Sequence, residues 1–405
     1  MKICICTNTR PHAGGVITYV NTLTKYFNLN GHKTIIVSPF GITKQIKIKP
    51  GLIKKTDKLT YNKSFITFIL LILSQFLTFV NLVRAYLKNK YQLIIAQDPL
   101  SANAAKILKK IFPVILILVV HDTLEKSLLR QRKITENDFV HRYVRRIEKK
   151  ALAINDGVCV ISHYLLNFLK NQKLISKNKP ITVINPPVNP YFFFFDQSIR
   201  EQARKNLKIN QNQFIILFAG QLSDIKGAIY PLYSLQEINK IDSNFLLIYA
   251  GDGPKKQAIS NLIKEFNFQK QVTLLGKIPP DKLREIYNAA DVLVIPSITI
   301  QGKQDTHPLV SIEAMICQLP IVAFASGGLK EIITDQQTGI LVPEKDYKKM
   351  ADAILRLKAD SNFRKKIIAN AFAYSKNYLP EKIIKEILDF AKICKKTKSG
   401  YLSIP

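Results

Sequence analysis

Acidic residues are scarce in this chain: 29 Asp and Glu stand against 60 Lys and Arg over 405 residues, a formal charge of +31. The deficit is uneven. Residues 1–186 hold 30 basic and 8 acidic side chains, whereas residues 187–405 hold 30 and 21, so the positive field belongs to the first half. Such a field attracts anionic head groups or nucleic acid and carries no information on fold. Nucleic acid is not the expected partner, because the aromatic residues are not interleaved with the basic ones in a way that suits base stacking. Cysteine is sparse as well. Cys4, Cys6, Cys159, Cys317 and Cys394 are scattered, odd in number and without metal-ligand spacing, and they fall within apolar strand or helix patterns, so reduced, inert thiols are expected. The sequence contains no Asp-x-Asp pair and no G-x-G-x-x-G, so neither a metal clamp on a diphosphate nor a dinucleotide fingerprint is expected. The N-terminal MKICICTNTR lacks the apolar core and small-residue cleavage site of a secretory signal.

What is present is apolar and rhythmic. Hydrophobic residues make up 47% of the chain, which argues against disorder, and the length suits two or three domains. Short apolar runs alternate with helical stretches: KICICT, a loop, a helix from about Val16 to Phe27, then HKTIIVS, YQLIIAQ, VILILVV and DGVCVIS. That is the βα alternation of a doubly wound parallel sheet. Gly14-Gly15 follows the first strand and allows close backbone approach to a ligand. His121 ends the strand VILILVV, and ligands of open α/β sheets gather at strand carboxyl ends. His12, in the glycine loop, is a lesser candidate, and His32, His141 and His163 lack comparable placement.

Ser64 to Val83 carries no charge and is long enough to cross a bilayer. A crossing would put two strands of one sheet on opposite sides of the membrane. The basic flanks (Lys54, Lys55, Lys58 and Lys63 before, Arg84, Lys88 and Lys90 after) are balanced. A helix packed on the sheet, with its outer face dipping into an anionic interface, is the expectation; a true span is the alternative. Residues 141–150 (HRYVRRIEKK) are expected to make a solvated or lipid-facing basic helix face.

After the proline-rich ITVINPPVNP the rhythm restarts, and FFFF at 192–195 is expected to pack at an interface. FIILFAGQLSDIKG supplies a strand, a glycine turn and Lys226-Gly227, which together offer backbone donors and one cation to a diphosphate. Residues 289–331 give a buried strand, a polar loop with Asp305, a helix opened by Pro308, a second strand and Gly327-Gly328. Proline at the first helical position leaves the N–H groups of Leu309 and Val310 free toward an anion. Asp305 and Glu313, eight positions apart, can accept hydrogen bonds from hydroxyls, so a ligand both phosphorylated and polyhydroxylic fits, and a nucleotide sugar is both.

This stretch resembles the donor-site signature of retaining GT-B glycosyltransferases of the family 4 (group 1) type, in which two acidic residues separated by seven precede Ala-Met. The resemblance covers most of the chain and is most specific in its second half. Asp305 stands where Glu is usual, His307-Pro308 where Phe-Gly is common, and neutral Gln221 where an Arg usually shares the phosphate load with Lys226. The resemblance implies an α/β GT-B fold, two Rossmann-like doubly wound domains facing an interdomain cleft: an acceptor domain over residues 1–188, a donor domain over 189–375, and a helix at 376–405 returning to the first domain. It implies that Gly14, Gly15, Gln221 and Lys226 face the donor phosphates, that the turn from Gly276 to Ile278 faces the base, and that His307, Leu309 and Val310 line the same site. Asp305 is expected to hold sugar hydroxyls, Glu313 the ribose, and His121 the sugar near the reacting carbon. No cofactor or metal is expected. The expected partners are a nucleotide-sugar donor, a glycan or lipid-linked acceptor and an anionic membrane surface, at the cytoplasmic face of the cell membrane. A nucleotide-sugar epimerase on the same scaffold and a non-catalytic basic binding protein are the alternatives.

Overall fold

The computed structural model describes residues 1–8, 14–45, 63–130, 133–175, 179–210, 212–302 and 304–398. His12, the lysines at 54, 55 and 58, and the tail from 399 lie outside them. The chain forms two compact units, residues 1–187 with 380–405, and residues 188–379.

In the first unit the strands are β1 (Lys2–Cys6), β2 (Lys33–Ser38), β3 (Gly41–Thr43), β4 (Leu93–Ala96), β5 (Ile115–Val120), β6 (Gly157–Val160) and β7 (Ile181–Val183). They form one sheet in the order β3-β2-β1-β4-β5-β6-β7, parallel except for the edge strand β3. Near-continuous apolar strands are what a parallel sheet covered on both faces requires, and β4 and β6 are buried at every position. The covering helices are α1 (Gly14–Leu29), α2 (Lys63–Asn89), α3 (Pro99–Ile111), α4 (Leu124–Arg130), α5 (Phe139–Ile154) and α6 (His163–Asn171). Asp98, Asp138 and Ser162 cap α3, α5 and α6 by accepting from Ser101, His141 and Leu165 backbone N–H groups.

The second unit has β8 (Phe214–Ala219), β9 (Phe245–Ala250), β10 (Val272–Gly276), β11 (Val292–Ile295), β12 (Ile321–Phe324) and β13 (Ile340–Val342), all parallel in the order β10-β9-β8-β11-β12-β13. Its helices are α7 (Gln197–Asn206), α8 (Tyr230–Ile238), α9 (Lys256–Glu265), α10 (Pro280–Ala289), α11 (Leu309–Ile316), α12 (Leu329–Ile332), α13 (Tyr347–Ala359) and α14 (Ser361–Ser375). Alternate residues of β8 enter cores on opposite faces of the sheet: Ile216 and Phe218 on one, Ile215 and Leu217 on the other. The last helix, α15 (Pro380–Lys398), belongs to the first unit, where Ile383, Ile384, Ile387, Phe390 and Cys394 join the core of β1, β4, β5 and β6.

Several sequence expectations need correction. The helix expected from Val16 begins at Gly14, so the glycine pair opens α1 instead of preceding it. Pro308 is the N-cap of α11 and not its first helical residue, because its ψ of 96° is extended; Leu309 starts the helix. Of the aromatic run at 192–195, Phe193 is buried against Tyr287 and Phe194 lies over the Arg284 guanidinium, both within the second unit. His141 has a defined place after all. It is buried, its Nε2 lies 2.6 Å from Glu125 Oε1, and its Nδ1 accepts from the Asn137 backbone N–H.

Candidate active site

The second unit's candidate site grows from the carboxyl ends of β8 and β11. After β8 the chain turns at Gly220 (φ 147°), passes the exposed Gln221, and turns again at Gly227 (φ 61°). A Cβ on Gly227 would stand 1.7 Å from the Pro296 carbonyl oxygen, so this turn and the loop after β11 touch through bare backbone. Across that contact Lys226 Nζ forms an ion pair with Asp305 Oδ2. Ser297 donates to the same carboxylate oxygen at 3.4 Å, and Ser326 Oγ donates to the Ser297 carbonyl at 2.6 Å. The Gly328 N–H donates to the Asp305 carbonyl at 3.0 Å, and a Cβ on Gly328 would lie 2.0 Å from the Thr306 oxygen. The Asp305 loop is therefore fixed from both sides by glycine backbone.

Asp305 leads through His307 to α11. The N-cap residue supplies no side-chain cap: Pro308 offers only its carbonyl, which accepts from the Ser311 N–H and hydroxyl. The first amides, at Leu309 and Val310, keep the positive end of the helix dipole available to an anion. Glu313 stands one turn beyond Leu309, where the Tyr287 hydroxyl on α10 donates to its Oε2 at 2.8 Å. Burial pushes the Glu313 carboxyl up to about 7. His307 is held near 4, neutral at physiological pH, by burial; its ring lies 5.7 Å from that of Tyr378, and neither ring nitrogen has a hydrogen-bond partner among the described residues. Gly276 ends β10 with φ 69°, and Ile278 packs its side chain on the core beside it.

In the first unit His121 follows β5. Its Nε2 lies 2.8 Å from Gln97 Oε1, at the end of β4, and its ring meets that of Tyr19 edge-on, with centroids 4.7 Å apart. Burial lowers its pKa to about 4, so it is a neutral imidazole. Tyr19 lies on α1, whose first residues are Gly14 and Gly15, so the glycine pair and His121 belong to one end of one sheet. Within each unit the expected residues are thus gathered: Lys226, Asp305, His307, Leu309, Val310 and Glu313 along one path, and Gly14, Gly15 and His121 about the ends of β1 and β5. Sequence reasoning missed Gln97, Tyr19, Tyr287 and Ser297. For Ser297 and Gln97 a signal existed, since Gln97 directly follows the buried β4 and Ser297 comes one residue after the end of the buried β11. For Tyr287, 26 residues from its carboxylate partner, none did.

Two Rossmann-like units, each a parallel sheet covered by helices, form a GT-B architecture. Solved structures agree on the fold. Sucrose-phosphate synthase from Thermosynechococcus elongatus superposes with a TM-score of 0.73 over 98% of this chain and 99% of that one at 22% identity. Anabaena HepE, in complex with UDP-glucose, gives 0.70 over 96% and 98% at 17%. The sequence model described as "Glycosyl transferases group 1" matches residues 199–374, and that of "Glycosyltransferase Family 4" matches residues 13–192. The chain belongs to this glycosyltransferase family. An uncharacterized glycosyltransferase of Methanocaldococcus jannaschii is 31% identical over 53% of this chain and 54% of its own. A D-inositol 3-phosphate glycosyltransferase of Corynebacterium efficiens is 27% identical over 44% and 42%. The match spans about half the length of these two relatives.

Proposed function

We propose that this chain is a retaining glycosyltransferase that moves a hexosyl group from a nucleoside diphosphate sugar to a lipid-linked or envelope glycan at the cytoplasmic membrane face. The observation that carries the reading is Lys226 meeting Asp305 on the path to the start of α11. Breaking the donor bond leaves a diphosphate gaining negative charge and a sugar carbon gaining positive character. Lys226 and the amides of Leu309 and Val310 stabilise the former, as preorganised donors do wherever charge develops. Gln221 brings no charge, so Lys226 carries more of this task. Asp305 accepts from sugar hydroxyls and Glu313 from the ribose, while the backbone from Gly276 to Ile278 faces the base. Gly14 and Gly15 offer the first amides of α1 to a phosphate, and neutral His121 supports the sugar beside the reacting carbon. The reading calls on no metal and no nucleic acid.

The experiment is a panel of nucleotide sugars tested for stabilising the purified protein, then nucleotide release measured for the stabilising donor. Lys226→Ala is expected to lower kcat/KM by about 10²-fold or more. Unchanged release in that variant, or a sugar-nucleotide isomer formed with no acceptor present, removes the reading.

A further inference from the structure

Helix α2 is apolar on both sides: Leu71, Leu82 and Ala85 are buried against the protein, and a second apolar face is turned to solvent. At 100° per residue, Ser74, Gln75, Thr78 and Asn81 share the side turned to the protein. There Ser74 and Thr78 donate to carbonyls of their own helix (Leu71 and Ser74), and Asn81 donates to the Ser38 carbonyl. The side turned away carries Phe65, Ile66, Ile69, Leu73 and Phe76, each between 47% and 60% exposed, and Leu70 and Leu77 are exposed at its edge. No other segment among the described residues exposes large hydrophobics so densely. An apolar patch of this kind marks an interaction surface.

The helix is long and apolar enough to cross a membrane, with 17% of its most apolar window buried. It is nevertheless attached along its inner face: Leu71, Thr78, Leu82 and Ala85 are buried, and it leads into β4, which pairs with β1 in the middle of the sheet. Crossing would expose those inner groups to lipid. The patch also has a basic edge. Phe139 and Tyr143 of α5 meet Phe68, and helical spacing puts the exposed Arg142, Arg146 and Lys150 on the strip of α5 beside them. Arg84 and Lys88 are exposed on the outward side at the far end of α2, which contains no acidic residue.

We infer that the outward face of α2, with Phe139 and the basic strip of α5, docks on an anionic lipid bilayer with the helix lying in the plane of the interface. Charge selects this occupant over a second copy of the chain, since self-association through the patch would bring like-charged edges together. The inference deepens the membrane-face reading above and draws on it only for the acceptor's location.

The test uses the full chain and vesicles of phosphatidylcholine with and without phosphatidylglycerol. The protein is expected to co-sediment at least about tenfold better with the anionic vesicles and to be released by high salt, as binding through basic residues requires. Leu73→Asp with Phe76→Asp is expected to abolish sedimentation at an unchanged melting temperature, and Arg142→Glu with Arg146→Glu to abolish the preference for phosphatidylglycerol. The sequence has no tryptophan, so Phe65→Trp and Phe76→Trp each create a single fluorophore that reports even where a charged variant fails to fold. Quenching of both by shallow brominated lipids to the same extent supports the in-plane helix, whereas different depths, no quenching, or a dimer abolished by the Leu73/Phe76 variant overturns it. Donor-induced stabilisation, read in the same preparations, reports separately on the transfer reading: its loss leaves docking intact, and loss of docking leaves donor binding intact.

Discussion

Glu313 lies on α11 and His307 just before its N-cap, and burial moves their titrations in opposite directions. Burial lifts the carboxyl from an ordinary 4.5 to about 7 and drops the imidazole from 6.5 to about 4. For Glu313 the folded state holds its proton more tightly than the unfolded chain, so the stability it contributes is full below pH 4.5 and is lost as pH rises through 7. Glu313→Gln keeps the shape and removes the titration. Thermal melts of the two proteins are expected to diverge with pH, the wild type losing ground to the variant between pH 5 and pH 8; parallel curves would contradict the burial of this carboxyl. His121 and His307 work the other way, contributing stability above pH 6.5 that is lost as pH falls through 4. At this scale the sequence singled out Asp305 and Glu313 by their spacing and Lys226 by its place after a strand and glycine turn. It did not disclose that Asp305 meets Lys226, 79 residues away in the chain, or that Tyr287 holds Glu313. Spacing reports what lies along one element, and these contacts join different ones.

At the scale of elements, the site depends on loops that pass one another with no room for a side chain. Gly227 combines a left-handed φ of 61° with a Pro296 oxygen where its Cβ would be. Gly227→Ala must therefore move the Lys226 turn away from the Asp305 loop. A cost of about 2 kcal/mol or more is expected, read as a melting temperature lower by roughly 5 °C together with weakened donor stabilisation. Strands of four to six apolar residues and long helices were legible because their periodicity is local. The three-residue edge strand β3 was not, since its antiparallel pairing with β2 follows from the turn at Ser38–Gly41 and leaves too few residues to show a period. The buried Glu148, and the inward placement of His141, escaped notice in a stretch that reads as mostly basic. The helix turns Arg142, Arg146 and Lys149 outward and carries His141 and Glu148 inward, where Glu148 accepts from the Leu124 N–H at 2.8 Å.

At the scale of the molecule, each unit has its own hydrophobic cores, and no residue is shared between those of the first unit and those of the second. The chain nevertheless visits the first unit twice. Six side chains of α15 are buried in its core, and removing them forfeits on the order of 10 kcal/mol of burial, comparable with the whole stability of a domain. Residues 188–379 expressed alone are expected to melt cooperatively, whereas residues 1–187 alone are expected to aggregate or melt without a transition. Circular dichroism and calorimetry on the two fragments check this, and a stable 1–187 fragment would show α15 to be dispensable.

By itself the sequence determined the alternation of buried strands and helices, the restart of that rhythm near residue 188, and the glycine, lysine and acidic positions of the donor loops, because backbone preference and hydrophobic period are written locally. Only the tertiary structure decided which way α2 turns, with Leu71, Thr78, Leu82 and Ala85 inward and the larger part of its apolar side chains out. It alone decided which carboxylate meets Lys226 and which histidines are kept neutral. Those outcomes depend on what lies across a sheet or a loop, and distance along the chain does not encode that.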